Sequence, residues 1–331
     1  MVLKTGFRFL ALFLFTTSIV FAAEVKKEEE KTFKFEKGGN IILVANEGMV
    51  EVKSWDKDEV HLKMIKRVRC RNRKEAERIL DDLEIRIQES RNKLVIRERS
   101  RRYHDGFNVL DIFDGDFWTE SNGRSIIIDF ELTVPKNVDL KFICDEGDVN
   151  IQDIHGSLNI DVDEGDITLE DIQSSKIQLS IDEGDVELEN ISDEGNGFCH
   201  VETDEGDIYM HDVTVQEMDL RTDEGDIVLR DVETHRLWAV TDEGNIQTDL
   251  ITRADGSYQM ETDEGDLEVT IPSDANLMVK LYTDEGTIDS DFDLSRRHRD
   301  DSERLEGRIG NGKGLLKGYT DEGDVILVEK R

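Results

Sequence analysis

The sequence predicts an all-β protein, a parallel β-solenoid with coils of about 20 residues. Three features of the sequence support this prediction. The tripeptide Asp-Glu-Gly recurs at steps of 18, 19, 22, 19, 19, 21, 21 and 37 residues. Apolar and polar residues alternate on both sides of each copy, and no copy is followed by a helical pattern. Two short strands per coil cannot bury their apolar face alone, so neighbouring coils must stack. The copies begin at Asp145, Asp163, Asp182, Asp204, Asp223, Asp242, Asp263, Asp284 and Asp321.

The strands are predicted from the period-two pattern, with the first Asp counted as position 0. Position +4 is apolar in every copy, and positions −5, −3 and −1 repeat the pattern before the turn, as in Leu158, Ile160 and Val162. A spacing of two predicts strands with one buried face. An antiparallel β-sandwich built from the same hairpins is the main rival interpretation. The residues at +4 are Val149, Ile167, Val186, Ile208, Ile227, Ile246, Leu267, Ile288 and Val325.

Two turns are predicted in each coil. The glycine at +2, called the turn glycine, supplies the positive φ that the first turn needs. Asp or Asn at +8 marks the second turn, as in Asp153 and Asn190. The predicted turn glycines are Gly147, Gly165, Gly184, Gly206, Gly225, Gly244, Gly265, Gly286 and Gly323.

The acids at positions 0 and +3 have the opposite parity to the core residues, so we expect them to face solvent. Like charges on neighbouring coils, about 4.8 Å apart, repel by roughly 0.9 kcal/mol even in bulk water. One interpretation is that these acids only form turns, which explains Asp and Gly but leaves the Glu at +1 unexplained. The other is that they bind cations or a basic partner, with calcium as the candidate cofactor. The candidate ladder is Asp145, Asp148, Asp163, Asp166, Asp182, Asp185, Asp204, Asp207, Asp223, Asp226, Asp242, Asp263 and Asp266.

Residues 1–23 are predicted to be a secretory signal. Lys4 and Arg8 precede an apolar run that ends at small residues. This run is short for a membrane span, which needs about 20 residues, and an uncleaved anchor is the alternative. We therefore expect an exported protein in the periplasm, on the cell surface or outside the cell, and not an integral membrane protein after cleavage. The formal net charge of −35 argues against nucleic acid and anionic membrane partners.

The chain has three cysteines, Cys70, Cys144 and Cys199. An odd number in an exported protein leaves at least one free thiol per chain or an intermolecular bond. Buried thiols are predicted at Cys144 and Cys199, with no framework of disulfide bonds. Cys144 and Cys199 have core-facing parity but lie three coils apart, about 14 Å, which exceeds the reach of a disulfide bond.

The chain is expected to divide at residue 135 into an N-terminal β-rich region, 24–135, and a repeat solenoid, 136–331. The N-terminal region has one helix signal at 74–83, an arginine stripe from Arg67 to Arg73, and an aromatic loop at 99–124. That loop is either a specific binding surface or a cap on the solenoid. Residues 291–306 are predicted to be a loop insertion, and residues 319–328 are expected to close the stack.

Catalytic signatures are scarce. The sequence has no His-Glu-x-x-His metal motif, no phosphate-binding glycine loop and no Gly-x-Ser-x-Gly motif. The histidines are dispersed, and exposed acids are too numerous to indicate a catalytic pair. We predict a non-enzymatic protein, with a polysaccharide-active β-helix enzyme as a minor alternative.

The sequence resembles the DUF4097 "putative adhesin" family of bacterial exported proteins. The resemblance depends on residues 46–55, the helix segment 75–83, the segment 132–135, and turns such as Thr203–Ile208 and Thr222–Ile227. It implies a parallel, right-handed β-helix-like fold, an envelope location, and adhesion or envelope-stress sensing. It implies no catalytic residues.

The predicted function is therefore that of a secreted or envelope-associated binding or structural protein that presents an acidic ladder. The alternative is a sensor of envelope stress, calcium or cationic peptides that uses the same ladder. The expected partner is an envelope protein, a cationic peptide or a surface ligand.

Overall fold

The computed structural model describes residues 23–98, 125–193, 195–299 and 302–330. It contains 24 strands and one helix. The N-terminal elements are β1 Ala23–Lys34, β2 Gly39–Glu47, β3 Val50–Trp55, β4 Glu59–Cys70, α1 Arg73–Asp82, β5 Ile85–Ser90, β6 Lys93–Glu98 and β7 Ser125–Pro135. The central strands are β8 Val138–Glu146, β9 Val149–Gln152, β10 Leu158–Glu164, β11 Ile167–Gln173, β12 Lys176–Glu183, β13 Val186–Ser192, β14 Phe198–Glu205, β15 Ile208–Glu224, β16 Ile227–Glu243, β17 Ile246–Glu264 and β18 Leu267–Pro272. The C-terminal strands are β19 Leu277–Glu285, β20 Ile288–Ser290, β21 Ser295–Arg299, β22 Ser302–Arg308, β23 Gly314–Glu322 and β24 Val325–Lys330.

The repeats form a parallel β-solenoid with one coil per Asp-Glu-Gly, as predicted. The strands that lead into the turn stack in register, so that Leu158 of β10 lies between Leu140 and Ile177. The strands that leave the turn form a second parallel stack, in which Ile167 lies between Val149 and Val186. We call these stacks the entry face and the exit face. The parallel register excludes the antiparallel sandwich.

The core lies between the two faces and follows the predicted parity. Buried and exposed residues alternate along β8 and β10, with Leu140, Phe142 and Ile160 at most 2% exposed. All three cysteines are buried and free, which confirms the buried thiols predicted at Cys144 and Cys199. The second turn is confirmed in five coils, where the residue at +8 has left-handed backbone, with φ from 51° to 58°.

The C-terminal coil does not close the stack, contrary to the prediction for residues 319–328. Strand β23 lies between β17 and β19, and β24 lies between β18 and β20. The chain therefore skips one position after β18, builds the last coil with β19 and β20, and returns to fill the gap. The predicted loop insertion at 291–306 contains strand structure. Strands β21 and β22 form a hairpin there, and β22 pairs antiparallel with β19.

The N-terminal end is interleaved in the same way. Strand β2 lies between β6 and β8, and β3 lies between β7 and β9. The stack therefore includes residues from 39 onward, and the boundary expected at residue 135 falls inside one continuous core. At this end the sheet continues with antiparallel strands. Strand β4 pairs antiparallel with β7, and β1 pairs antiparallel with β4.

The predicted helix is present as α1. Asn72 caps its first turn, because the Asn72 Oδ1 accepts a hydrogen bond of 3.0 Å from the Lys74 amide. Its buried face, Ala76 and Leu80, packs in a small cluster with Val68 and Cys70 of β4.

Three arginines of the stripe on and after β4 pair with acids of the chain. Arg67 Nη2 lies 2.5 Å from Asp129 Oδ2, and Arg69 Nη2 lies 2.8 Å from Glu24 Oε2. Arg73 Nε lies 3.0 Å from Glu77 Oε1. These three arginines therefore form ion pairs within the chain.

Candidate functional site: the acidic edge

The turn glycines are required by the close stacking of the coils. Gly206 has a φ of 150°, and a Cβ at this position would lie 2.1 Å from the carbonyl oxygen of Gly184 in the preceding coil. The Gly206 amide donates to the Glu224 carbonyl of the next coil, at 2.9 Å. Neither the backbone conformation nor the contact leaves room for a side chain. Stacking therefore explains the recurrence of the glycine.

A column of buried threonines at position −1 supports the same turns, and its role was not predicted from the sequence. The Thr222 hydroxyl is buried and donates to the Gly206 carbonyl at 2.9 Å. In the first repeats this position is filled by Cys144, Val162 and Ile181 instead. The sequence did contain a signal for this role, because a polar residue recurs at a position whose parity predicts burial. A buried hydroxyl needs a hydrogen-bond partner. The column is Thr203, Thr222, Thr241, Thr262, Thr283 and Thr320.

The acids at position +3 also have a structural role. Each carboxylate accepts a hydrogen bond from the amide of the equivalent residue in the next coil. For example, Asp207 Oδ1 accepts from the Asp226 amide at 2.7 Å. Asn245 takes this position in one coil, and its amide oxygen accepts from the Asp266 amide at 2.9 Å. The acceptors are Asp148, Asp166, Asp185, Asp207, Asp226, Asn245, Asp266 and Asp324.

The acids at positions 0 and +1 do not form these hydrogen bonds between coils. We call them the acidic edge. The glutamates at +1 are exposed in all nine copies, and so are most of the aspartates at position 0. The described ion pairs of the repeats lie elsewhere, such as Arg236 with Glu217 and Lys330 with Asp231. Near one end, tyrosine hydroxyls donate to the edge carboxylates of Asp284 and Asp321. The other edge acids have no hydrogen-bonding or ionic partner for their side chains among the described residues.

Burial and neighbouring like charges raise the pKa of two aspartates of the edge. Burial raises the pKa of Asp163, and the carboxylates of Asp182, Asp161 and Glu164 raise it further. Burial also raises the pKa of Asp145 to about 6, with contributions from Asp163 and Glu146. No cation contributes to either shift. In the described part of the chain, the edge is therefore a row of carboxylates that no basic side chain pairs with.

Next to this row, Glu98 has a still higher pKa. Its carboxylate accepts a hydrogen bond of 3.1 Å from the Asn46 amide. Burial raises the pKa of Glu98 to about 7, although that hydrogen bond opposes the shift, and Asp145 and Glu47 add to it. Sequence reasoning missed this residue because its burial depends on the interleaved N-terminal coil.

The predicted cation ladder does not form a compact chelating group in the described residues. One set of three potential ligands lies within 4.8 Å there, and it is His211, Asp212 and Asp231 on the exit face. None of the thirteen predicted ladder aspartates belongs to it. Binding of calcium or another cation along the ladder stays a prediction.

Two further sequence predictions fall outside the described residues. These are the secretory signal at 1–23, of which the structure describes only Ala23, and the aromatic loop at 99–124. Among the described helices, none has both the length and the apolar character needed to span a bilayer.

The fold and the edge together define a parallel β-solenoid protein with a recurring acidic turn. The chain belongs to the Toastrack DUF4097 family, whose model matches residues 41–327. This confirms the family and the fold class that the sequence motifs indicated.

Solved structures with low sequence identity align over most of the chain. One is named a "putative adhesin" from Bacteroides fragilis NCTC 9343, with 13% identity, coverage of 91% of this chain and 97% of that chain, and a TM-score of 0.44. Another is named a "Putative lipid binding protein" from Parabacteroides distasonis ATCC 8503, with 12% identity, the same coverage of 91% and 97%, and a TM-score of 0.44. A comparison with curated proteins gives no match.

Proposed function

We propose that this protein is an exported, non-enzymatic binding protein whose acidic edge engages a polycationic partner in the cell envelope. One observation supports the proposal above the others. The structure gives a role in stacking to the turn glycines, to the threonines at −1 where they occur and to the aspartates at +3. It gives no such role to the side chains of the glutamates at +1. Nine exposed glutamates repel one another and contribute no described side-chain contact. A recurring feature that stacking does not require is best explained by binding.

The geometry of the edge fits an extended basic ligand. Carboxylates repeat about every 4.8 Å along the stack, whereas successive side chains on one side of an extended peptide repeat about every 6.6–6.8 Å. The two spacings do not match residue for residue. Binding would therefore be electrostatic and tolerant of sequence, with an affinity that falls as salt screens the charges. An unstructured lysine-rich segment of an envelope protein and a cationic peptide are both ligands of this class.

Titration with a fluorescent oligolysine tests the proposal. We expect wild-type protein to bind at low ionic strength and to lose affinity steeply as salt is added. The variant E183Q/E205Q/E224Q neutralises three adjacent glutamates of the edge and should bind more weakly. The control E89Q/E187Q/E268Q removes three acids without described partners outside the edge, so it makes the same change in net charge. Equal affinities for the two variants would show that only net charge matters and would contradict the proposal.

A further inference from the structure

A second arrangement of potential cation ligands lies on the exit face, away from the acidic edge. His211 and Asp212 end the first segment of β15, and Asp231 is the equivalent of Asp212 in the next coil. Both aspartates have left-handed backbone, with φ of 53° and 51°. Because they occupy the same position in adjacent coils, the stacking itself holds them side by side.

The side chains of this cluster converge. One ligand atom from each of His211, Asp212 and Asp231 lies within 4.8 Å of the other two. His211 Nδ1 is 3.8 Å from Asp212 Oδ2 and 3.9 Å from Glu189 Oε1, and Glu189 pairs with His211 in the neighbouring strand. The group therefore offers one imidazole nitrogen and three carboxylates. Its members are exposed, so their side chains can change rotamer.

The chain already places a cation at this cluster. Lys330, near the end of β24, puts its ammonium 2.8 Å from Asp231 Oδ1 and 2.9 Å from Asp249 Oδ1. The hydrogen bond from Lys330 is the largest cause of a lowered pKa at Asp231. This carboxylate is therefore ionised at neutral pH and is held by a positive charge from a distant part of the sequence.

We propose that His211, Asp212 and Asp231, with Glu189 as a fourth donor, bind a divalent transition-metal ion of the zinc class, and that Lys330 competes with the ion for Asp231. An imidazole nitrogen among the donors favours such an ion over calcium, which prefers oxygen ligands alone. Ligand atoms about 2.0–2.2 Å from a zinc ion lie closer together than those in the cluster. Rotamer changes of the exposed side chains would bring them into range.

The test is calorimetric titration of the full-length mature protein with Zn²⁺, in excess Mg²⁺ that occupies oxygen-only sites along the acidic edge. We expect one zinc site per chain. His211→Asn should weaken it at least tenfold, because the nitrogen donor is lost. Asp231→Asn should also weaken it while keeping the left-handed backbone, which Asn tolerates. The matched control is His235→Asn, which removes another histidine, in β16, whose one described acidic neighbour is Asp255, 3.4 Å away.

Competition by Lys330 is tested separately. Lys330→Gln should bind zinc several-fold more tightly than wild type, whereas Lys280→Gln, an exposed lysine on the entry face, should not. Unchanged affinity in Lys330→Gln would overturn the competition. The proposed zinc site would be overturned if wild type does not bind zinc. It would also be overturned if wild type and His211→Asn bind zinc with equal affinity. Either result leaves oligolysine binding by the acidic edge untouched, so the two proposals fail independently.

Discussion

The amide of Asp185 donates a hydrogen bond to Oδ1 of Asp166, 2.9 Å away and one coil earlier in the stack. The same bond links successive coils along the solenoid, so each +3 carboxylate caps the backbone of its neighbour. The side chain at this position therefore acts mainly as a hydrogen-bond acceptor, and its negative charge is not needed for that role. Asn245, which keeps the acceptor without the charge, makes the equivalent bond.

Replacing Asp166 separates these two properties. Asp166→Ala removes the acceptor for the Asp185 amide and should lower the free energy of unfolding by about 1 kcal/mol. Asp166→Asn retains an acceptor and removes one charge from a crowded row, so its stability should equal or exceed that of wild type. Urea unfolding followed by circular dichroism measures both. Equal destabilisation by the two substitutions would mean that the charge, not the hydrogen bond, matters here.

Gly206 provides a test of coil spacing. A Cβ at this position would meet the Gly184 carbonyl oxygen at 2.1 Å, so Gly206→Ala should destabilise the protein by several kcal/mol or prevent folding. The control is Gly38→Ala, where φ is also positive, at 73°, but no atom lies within 4 Å of an added Cβ. Gly38→Ala should cost only about 1–2 kcal/mol, the penalty for a Cβ in left-handed backbone. Comparable thermal melts for the two variants would contradict the stacking of turn glycine on turn glycine.

The thiols should be unreactive in the folded protein. Burial raises the pKa of Cys144 and of Cys199 to about 12, and Cys70 is also buried. Since the thiolate is the reactive form, a thiol-specific chromogenic reagent should label none of the three until denaturant is added. Rapid labelling of one thiol under native conditions would show that its part of the core opens.

Much of this fold was predictable because the determinants are local and repeated. The alternation of polar and apolar residues, such as Asp161 between Ile160 and Val162, indicates the strands and their buried face. The glycine at +2 and the Asp at +8 indicate the turns, because few other residues adopt their backbone conformations.

The parts that could not be predicted depend on non-local pairing. Nothing near β23 in the sequence shows that it lies between β17 and β19. That position exists because the chain leaves one coil position of the stack empty after β18 and fills it later with β23. The charged residues of 295–308 look like a loop, yet pairing with β19 makes part of this segment a strand. The hydroxyl of each buried threonine at position −1 donates to a carbonyl in another coil. This partner cannot be predicted from the sequence of a single repeat.

Glu98 gives the protein a specific pH dependence. Its folded pKa, about 7, lies above its ordinary value of 4.5, so the folded state holds the proton more tightly than the unfolded state does. Its contribution to stability is fully present below pH 4.5 and is lost as the pH rises toward 7. Glu98→Gln keeps an acceptor for the Asn46 amide and removes the ionisable group, so the variant does not lose this stability as the pH rises. The variant should match wild type near pH 4 and exceed it by roughly 3 kcal/mol above pH 7.

Urea unfolding of both proteins across this pH range makes the comparison. The control Glu89→Gln, an exposed acid in β5, should track wild type at every pH. A Glu98→Gln variant that is less stable than wild type at pH 8 would show that the ionised carboxylate is stabilising, contrary to the burial described above.

The most direct test of the central claim is the thermal stability of E183Q/E205Q/E224Q at low salt, measured without ligand and then with oligolysine. If the edge glutamates serve binding and not folding, relief of their mutual repulsion should raise the midpoint of unfolding of the free protein by about 1–3 °C. Oligolysine should then stabilise the variant less than it stabilises wild type. A variant that melts lower than wild type without ligand would show that these glutamates support the fold, and would contradict the account.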